Sequence, residues 1–250
     1  MIKRLVVMSD LHLEFHALQL PPPDTYDLAI LAGDIHTKGR SAAWASEHFV
    51  KPVILVAGNH EFYNSSVERT LKQLRMPVGK HVHFLEQQTR VMGNVRFIGA
   101  TCWTDFTATG NQVGAMLNAR SLMNDYRQIR VEPDFRRLSP VDTRGYAEQT
   151  RAWLREEIMK PFDGLTVVIT HHPPLQQLVP EIEGRPHLGA AYGNEWREFL
   201  EMPIDLWVFG HTHEFVNKVV GGIRFISNPR GYPGEETGFD PDLRVLLDLC

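Results

Sequence analysis

The chain has 250 residues, enough for one well-buried α/β domain or two small ones, and its 43% hydrophobic and 22% charged content is that of an ordinary soluble globular protein. A formal net charge of −4, from 26 Lys+Arg against 30 Asp+Glu, counts against a dedicated nucleic-acid backbone binder, which needs a basic excess. The two cysteines, Cys102 and Cys250, make no disulfide framework and have no zinc-type spacing, so a reducing compartment is expected.

In chain order, the N-terminal apolar run of MIKRLVVMSD is too short for a signal-peptide core, and no small-residue cleavage site follows it. No window reaches the length of a membrane span, and a cytoplasmic protein is expected. Apolar runs rich in Val, Ile and Leu predict buried strands at 5–8, 28–32, 53–57, 95–100, 165–170, 206–209, 223–227 and 243–249. Helices are predicted at 65–75, 112–124, 143–159 and 193–201, the third opening at Asp142-Thr143 as an N-cap and ending before Pro161. This alternation predicts a layered α/β fold. No repeat, low-complexity tract or linker breaks the chain, so residues 1–250 are read as one domain. The stretch 103–140 is polar and carries Gly110 and Gly114; it reads as an insertion with a helix and long loops, where substrate choice is often set.

The residues that follow the apolar runs carry the chemistry. They are Ser9-Asp10-Leu11-His12, Gly33-Asp34, Gly58-Asn59-His60-Glu61, His171-His172 and Gly210-His211-Thr212-His213. In open α/β sheets, sites form at the carboxyl ends of strands. Asp, His and Asn donors suit Zn²⁺, Mn²⁺ or Fe. Residues i and i+2 of an extended chain share a face, so Asp10 with His12 and His211 with His213 are each expected to address one small volume. His81 and His83 have the same spacing but lie near the start of a short strand, and are expected to be a solvent-facing pair.

In that order across residues 10–213, the motifs DLH, GD, GNHE, a lone His after a strand, and GHTH resemble those of the calcineurin-like metallophosphoesterases. The GNHE and NPRGY (Asn228 to Tyr232) stretches place the resemblance in the short, single-domain bacterial branch. It implies a four-layer α/β/β/α sandwich with two mixed β-sheets and a centre of two divalent metal ions: Mn, Fe or Zn, with Mn favoured. Carried onto this sequence, it implies that Asp10, His12 and His213 hold one metal, that Asn59, His171 and His211 hold the other, and that Asp34 bridges them. It also implies that His60 faces the substrate, either holding a phosphate oxygen or protonating the leaving oxygen. Two carboxylates against two divalent ions leave such a centre cationic even with a bridging hydroxide, which suits attack on an anionic phosphoester. Imidazole titrates near neutral pH, as the acid role needs.

Protein Ser/Thr phosphatases of this family usually follow GD with an acidic residue three positions on and then arginine; here Thr37 and Lys38 stand there. Hydrolysis of phosphodiesters such as nucleotide diesters is therefore expected, with phosphomonoesters the close alternative. A DNA exonuclease and a non-catalytic scaffold rank lower. The expected partner is a small-molecule phosphoester. Glu14 and His16 read as loop residues, and His36 and His172 as structural neighbours of the site. Glu61 is expected to orient His60 or cap a helix, and Asn228–Tyr232 to form a turn, with a phosphate contact from Arg230 as the second reading. Trp103, Phe106 and the run 124–127 are expected to pack the insertion onto the sheet, with a place in the pocket wall as the second reading.

Overall fold

Alternate residues of the central strands face two different cores, and this alternation builds the layers. The protein is described from a computed structural model covering residues 2–185 and 187–247. In chain order the elements are β1 (Arg4–Met8), β2 (Leu28–Ala32), α1 (Ser41–His48), β3 (Val53–Val56), α2 (Val67–Leu74), β4 (Val82–Phe84), β5 (Gln88–Met92), β6 (Val95–Ala100), α3 (Gln112–Leu122), α4 (Asp125–Gln128), β7 (Arg130–Val131), β8 (Arg136–Arg137), α5 (Pro140–Ile158), β9 (Leu165–Thr170), β10 (Leu206–Phe209), β11 (Val216–Val220), β12 (Ile223–Ser227) and β13 (Arg244–Leu246).

One sheet has the order β13-β1-β2-β3-β4 and the other β11-β12-β10-β9-β6-β5. Both are mixed. In the first, β1 to β4 run parallel and β13 is antiparallel. In the second, β6, β9, β10 and β12 are parallel, with antiparallel β5 and β11 at the edges. Leu5, Val7, Ile30 and Ile54 of the first sheet share a core with Phe97, Val167, Val208 and Ile226 of the second. The residues between them, such as Val6, Leu31, Leu55, Val168 and Trp207, face outward and join a cluster with Ala45 of α1, Leu74 of α2 and Ala147 and Leu154 of α5. Helices thus cover the outer face of each sheet, giving the expected α/β/β/α sandwich.

The long apolar strands lie where the sequence predicts them, within a residue or two. The polar edge strands β5 (QTRVM) and β11 (VNKVV) have no apolar run to announce them. The last predicted strand is shorter than expected at Arg244–Leu246; residues 248–250, with Cys250, lie outside the described residues.

Helix α5 starts three residues before its predicted start. Ser139 is the N-cap, Pro140 opens the helix, and Asp142, the third helical residue, closes a capping box, its carboxylate accepting from the Ser139 amide at 2.9 Å. The predicted helix at 193–201 does not form. Its first amides bond elsewhere, Asn194 N to the Pro173 carbonyl at 3.0 Å and Trp196 N to that of Pro174 at 2.9 Å, leaving only a 3₁₀ turn at Arg197–Glu201. Helix α1 is unforeseen, because its buried positions are the small residues Ser41, Ala42 and Ala45. Among the described residues, no helix is long and apolar enough to cross a membrane.

Candidate metal centre

Parallel strands deliver their carboxyl ends to one edge, so the loops after β1, β2 and β3 meet those after β9 and β10. Backbone bonds knit these loops together. Asp10 N donates to the Gly33 carbonyl at 3.0 Å, Gly210 N to that of His171 at 2.9 Å, and His12 N to that of Asp34 at 3.1 Å. The chain here is not extended, contrary to expectation. Asp10 (φ 50°), His12 (45°), Asp34 (55°), His211 (71°) and His213 (52°) all lie in the left-handed region. The shared direction of each i, i+2 pair therefore comes from a turn that leaves the strand, not from the pleat. L-residues adopt this region at a cost, and clusters of them are typical of functional sites.

The junction glycines make room. A Cβ on Gly58 would sit 2.1 Å from Asp34 Oδ1, and one on Gly33, at φ 87°, would sit 2.5 Å from His171 Nδ1. Glu61 neither orients His60 nor caps a helix. It is a buried clamp whose carboxylate accepts from the amides of Asp34 (2.9 Å), Ile35 (2.8 Å) and Gly58 (2.7 Å), joining the β2 and β3 loops.

Three groups of side chains could each hold an ion: Asp10, His12 and His213; Asp34, His171 and His211; and His12, Asp34 and His60. Asn59 joins the second, its Oδ1 lying 3.0 Å from His171 Nε2. Asp34 belongs to two groups, with Oδ2 3.4 Å from His171 Nε2 and 4.0 Å from His12 Nε2. All seven residues expected to bind metal, and His60, therefore meet at one place.

The donor set fits cations. The Nε2 atoms of His12 and His213 face each other at 3.1 Å, and His211 Nε2 is buried with no hydrogen-bond partner among the described residues. Three rings are oriented through Nδ1: His171 donates to the Ala32 carbonyl (2.9 Å), His213 to Glu235 (2.6 Å), and His12 lies 3.2 Å from Glu14. Each leaves Nε2 for the shared volume, a common arrangement around metal ions.

The electrostatics agree. Burial opposes the charge on Asp34, but His171, His60 and His12 outweigh it and hold the carboxyl well below its usual range. Burial likewise opposes protonation of His171, yet Asp34 lifts it to about 10; Asp10 and Glu235 lift the half-buried His213 to about 9 against the same opposition. Raised in this way, His171 and His213 offset part of the charge of the neighbouring carboxylates.

Several residues have larger roles than their sequence context suggests. Glu14 is no loop bystander: its Oε1 lies 3.3 Å from His60 Nδ1, and burial is outweighed by His12 and His60 so that it is pulled down to about 2. The Tyr232 hydroxyl lies 2.9 Å from His60 Nε2, and the Tyr63 ring stacks on His60 at 4.1 Å between centroids. Burial opposes a charge on His60, but Asp34 and Glu14 raise its pKa overall. The DLHLE spacing of Glu14 was a usable signal, since it continues the i, i+2 series from Asp10 and His12. Tyr232 lies in the NPRGY stretch, but that motif reads as a turn and does not announce a contact with His60. Arg230 is not among the described residues that line the cavity described below; its guanidinium donates to the carbonyls of His16 (3.0 Å) and Ala17 (2.9 Å) and pins that loop.

A cavity of about 380 Å³ opens over the centre. Its walls include Asp34, Asn59, His60, His211 and His213, with Leu122, Met123, Asn124 and Asp125 from the 103–140 stretch. Trp103 and Phe106 are buried in the outer core, as expected, but Asn124 and Asp125 belong to the wall. His172 packs against His211, with 4.0 Å between centroids, and burial holds it neutral, down to about 3.

Comparison with known proteins agrees with this architecture. A family model for calcineurin-like phosphoesterases matches residues 3–215. The chain is 24% identical over 275 residues to uncharacterized protein L509 of Acanthamoeba polyphaga mimivirus, covering 96% of this chain and 95% of that one. Among solved structures, it is similar to a phosphopantetheinyl hydrolase from Mycobacterium tuberculosis, with a TM-score of 0.75, 20% identity, and coverage of 93% of this chain and 90% of that one. A dimetal phosphatase from Danio rerio is similar with a TM-score of 0.52 and 12% identity, covering 90% of this chain and 87% of that one. At such identities the solved structures speak for the fold, while the family model spans most of the sequence: the chain belongs to the calcineurin-like phosphoesterase family.

Proposed function

We propose that the protein is a two-metal phosphoesterase that prefers phosphodiesters. The observation behind this preference is the charge of the cavity wall. Among its described lining residues there is no Lys or Arg, while Asp125 and Glu235 are both present. A diester carries one negative charge, whereas a monoester approaches two near neutral pH, its second pKa being about 6. The wall offers no permanent side-chain cation, its titratable cations being imidazoles such as His60, and the Asp125 and Glu235 carboxylates oppose the second charge.

In this reading Asp10, His12 and His213 hold one ion, Asn59, His171 and His211 the other, and Asp34 both. Bound divalent ions, of which Mn²⁺ is favoured, would supply positive charge and a hydroxide nucleophile at neutral pH. His60, with Nδ1 toward Glu14 and Nε2 on the Tyr232 hydroxyl at the cavity wall, can hold a phosphoryl oxygen or give a proton to the leaving oxygen where substrate takes the place of that hydroxyl. Leu122, Met123 and Tyr192 offer the leaving group an apolar and aromatic seat. The likeness to a phosphopantetheinyl hydrolase adds a phosphopantetheinyl ester to the substrates worth testing beside nucleotide diesters.

The test is hydrolysis of bis(4-nitrophenyl) phosphate beside 4-nitrophenyl phosphate by Mn²⁺-loaded protein, with a chelated blank. A kcat/KM about tenfold or more higher on the diester is expected. Faster turnover of the monoester would overturn the preference, and metal-independent turnover would overturn the mechanism.

A further inference from the structure

We infer that Asp125, the first residue of α4 in the insertion, is a positioning residue of the metal centre, fixing the amide of Asn59 and the phenol of Tyr63. The inference rests on the two-metal reading above. Asp125 is 1% exposed. Its Oδ1 accepts from Asn59 Nδ2 at 2.8 Å and from the Tyr63 hydroxyl at 2.8 Å.

An asparagine amide has two unlike ends, and only the oxygen can serve a cation. With its nitrogen on Asp125, Asn59 turns Oδ1 to the volume shared with His171, whose Nε2 is 3.0 Å away. A flipped amide would set its oxygen against the Asp125 carboxylate, lone pair against lone pair. It would lose a charge-assisted hydrogen bond and gain a repulsion. The carboxylate thus selects the end of Asn59 that faces the ion.

The same oxygen holds Tyr63, whose ring is the stacking plane of His60, tilted from it by 27°. One buried group therefore ties a candidate ligand and the candidate proton donor to the insertion. The insertion is itself anchored here: Asn64 N donates to the Gln128 carbonyl at 3.2 Å, and Arg130 N to that of Ser65 at 2.9 Å. In this assignment α4 is part of the metal centre as well as a wall for the substrate.

The experiment is Mn²⁺ titration by calorimetry of metal-free wild type, D125A, D125L, D125N, N59A and the double variant N59A/D125A. Bound metal is counted after gel filtration, and each thermal midpoint is recorded. Leucine fills the volume that alanine leaves, so at least one apolar variant is read in a folded protein. Removing Asp125 is expected to weaken one of two Mn²⁺ sites by about 10–100-fold. D125N, whose amide oxygen can still accept from both partners, is expected to stay within about threefold of wild type. D125A is expected to add nothing in the N59A background, because the two act through one contact. Wild-type affinity at both sites in D125A or D125L would overturn the assignment. So would a D125N as weak as D125A, or a loss that adds to that of N59A. A wild type that binds fewer than two ions would instead sink the two-metal reading, a result read without the variants.

Discussion

Two histidine pairs with the same spacing come out differently. His211 and His213 leave the end of β10, a central strand, in left-handed turns. His81 and His83 flank Val82 at the start of β4, on the edge of the other sheet. His213 lies 3.5 Å from Asp10 and 2.6 Å from Glu235, and its pKa is raised to about 9. His81 and His83 are half-buried, not solvent-facing as expected, and burial, with Arg90 and His81 adding to it, lowers the pKa of His83. Spacing sets only the direction of one side chain relative to another. The end of the strand decides what the pair meets, because only there do the loops of five strands converge.

Asp34→Ala should give the largest contrast with the β4 pair. It removes the carboxylate shared by two of the candidate ion groups, so bound metal should fall below two ions per chain and kcat by more than about 10⁴-fold. Full metal occupancy in that variant would contradict the site. His60→Ala comes next: both ions stay, and kcat falls about 10²–10⁴-fold. Elemental analysis beside kinetics separates the two, and unchanged turnover with full occupancy would remove His60 from the chemistry.

The pairs should also differ in their response to pH. In the metal-free fold, His171 at about 10 and His213 at about 9 are protonated at neutral pH, and an ion must displace those protons. Metal affinity should therefore rise with pH, about tenfold per unit for each proton displaced, and calorimetry in buffers of different ionisation enthalpy would count them. These raised values stabilise the metal-free fold fully below the unfolded pKa of about 6.5, and that contribution is lost as pH rises through 9 to 10. His83 has the opposite sign to His213 and shares it with His211: burial lowers both folded pKa values, so each weakens the fold as pH drops below about 6.5. The smallest effects belong to His81→Ala and His83→Ala, which should leave metal content and kcat within about twofold of wild type. A loss of metal in either would end the distinction.

The sequence by itself determined the layers and the inventory of the centre. Runs such as LAILA and LTVVIT bury residues on both faces of a sheet, which only a sheet covered on both sides allows. The junctions after those runs carry donors because parallel strands bring their carboxyl ends together. Tertiary structure decided the rest. Polar edge strands pair through backbone that no side-chain pattern reveals. The left-handed turns at Asp10, His12, His211 and His213 depend on neighbouring loops that supply their hydrogen bonds. The groups that orient the centre lie far away in sequence, Asp125 66 residues from Asn59 and Tyr232 172 from His60. Glu14 is near His12 in the chain, yet its contact with His60 exists only because the loops after β1 and β3 meet across β2 at one edge of the sheet. A chain pattern records what a residue could do, and the fold supplies the partners that make it do so.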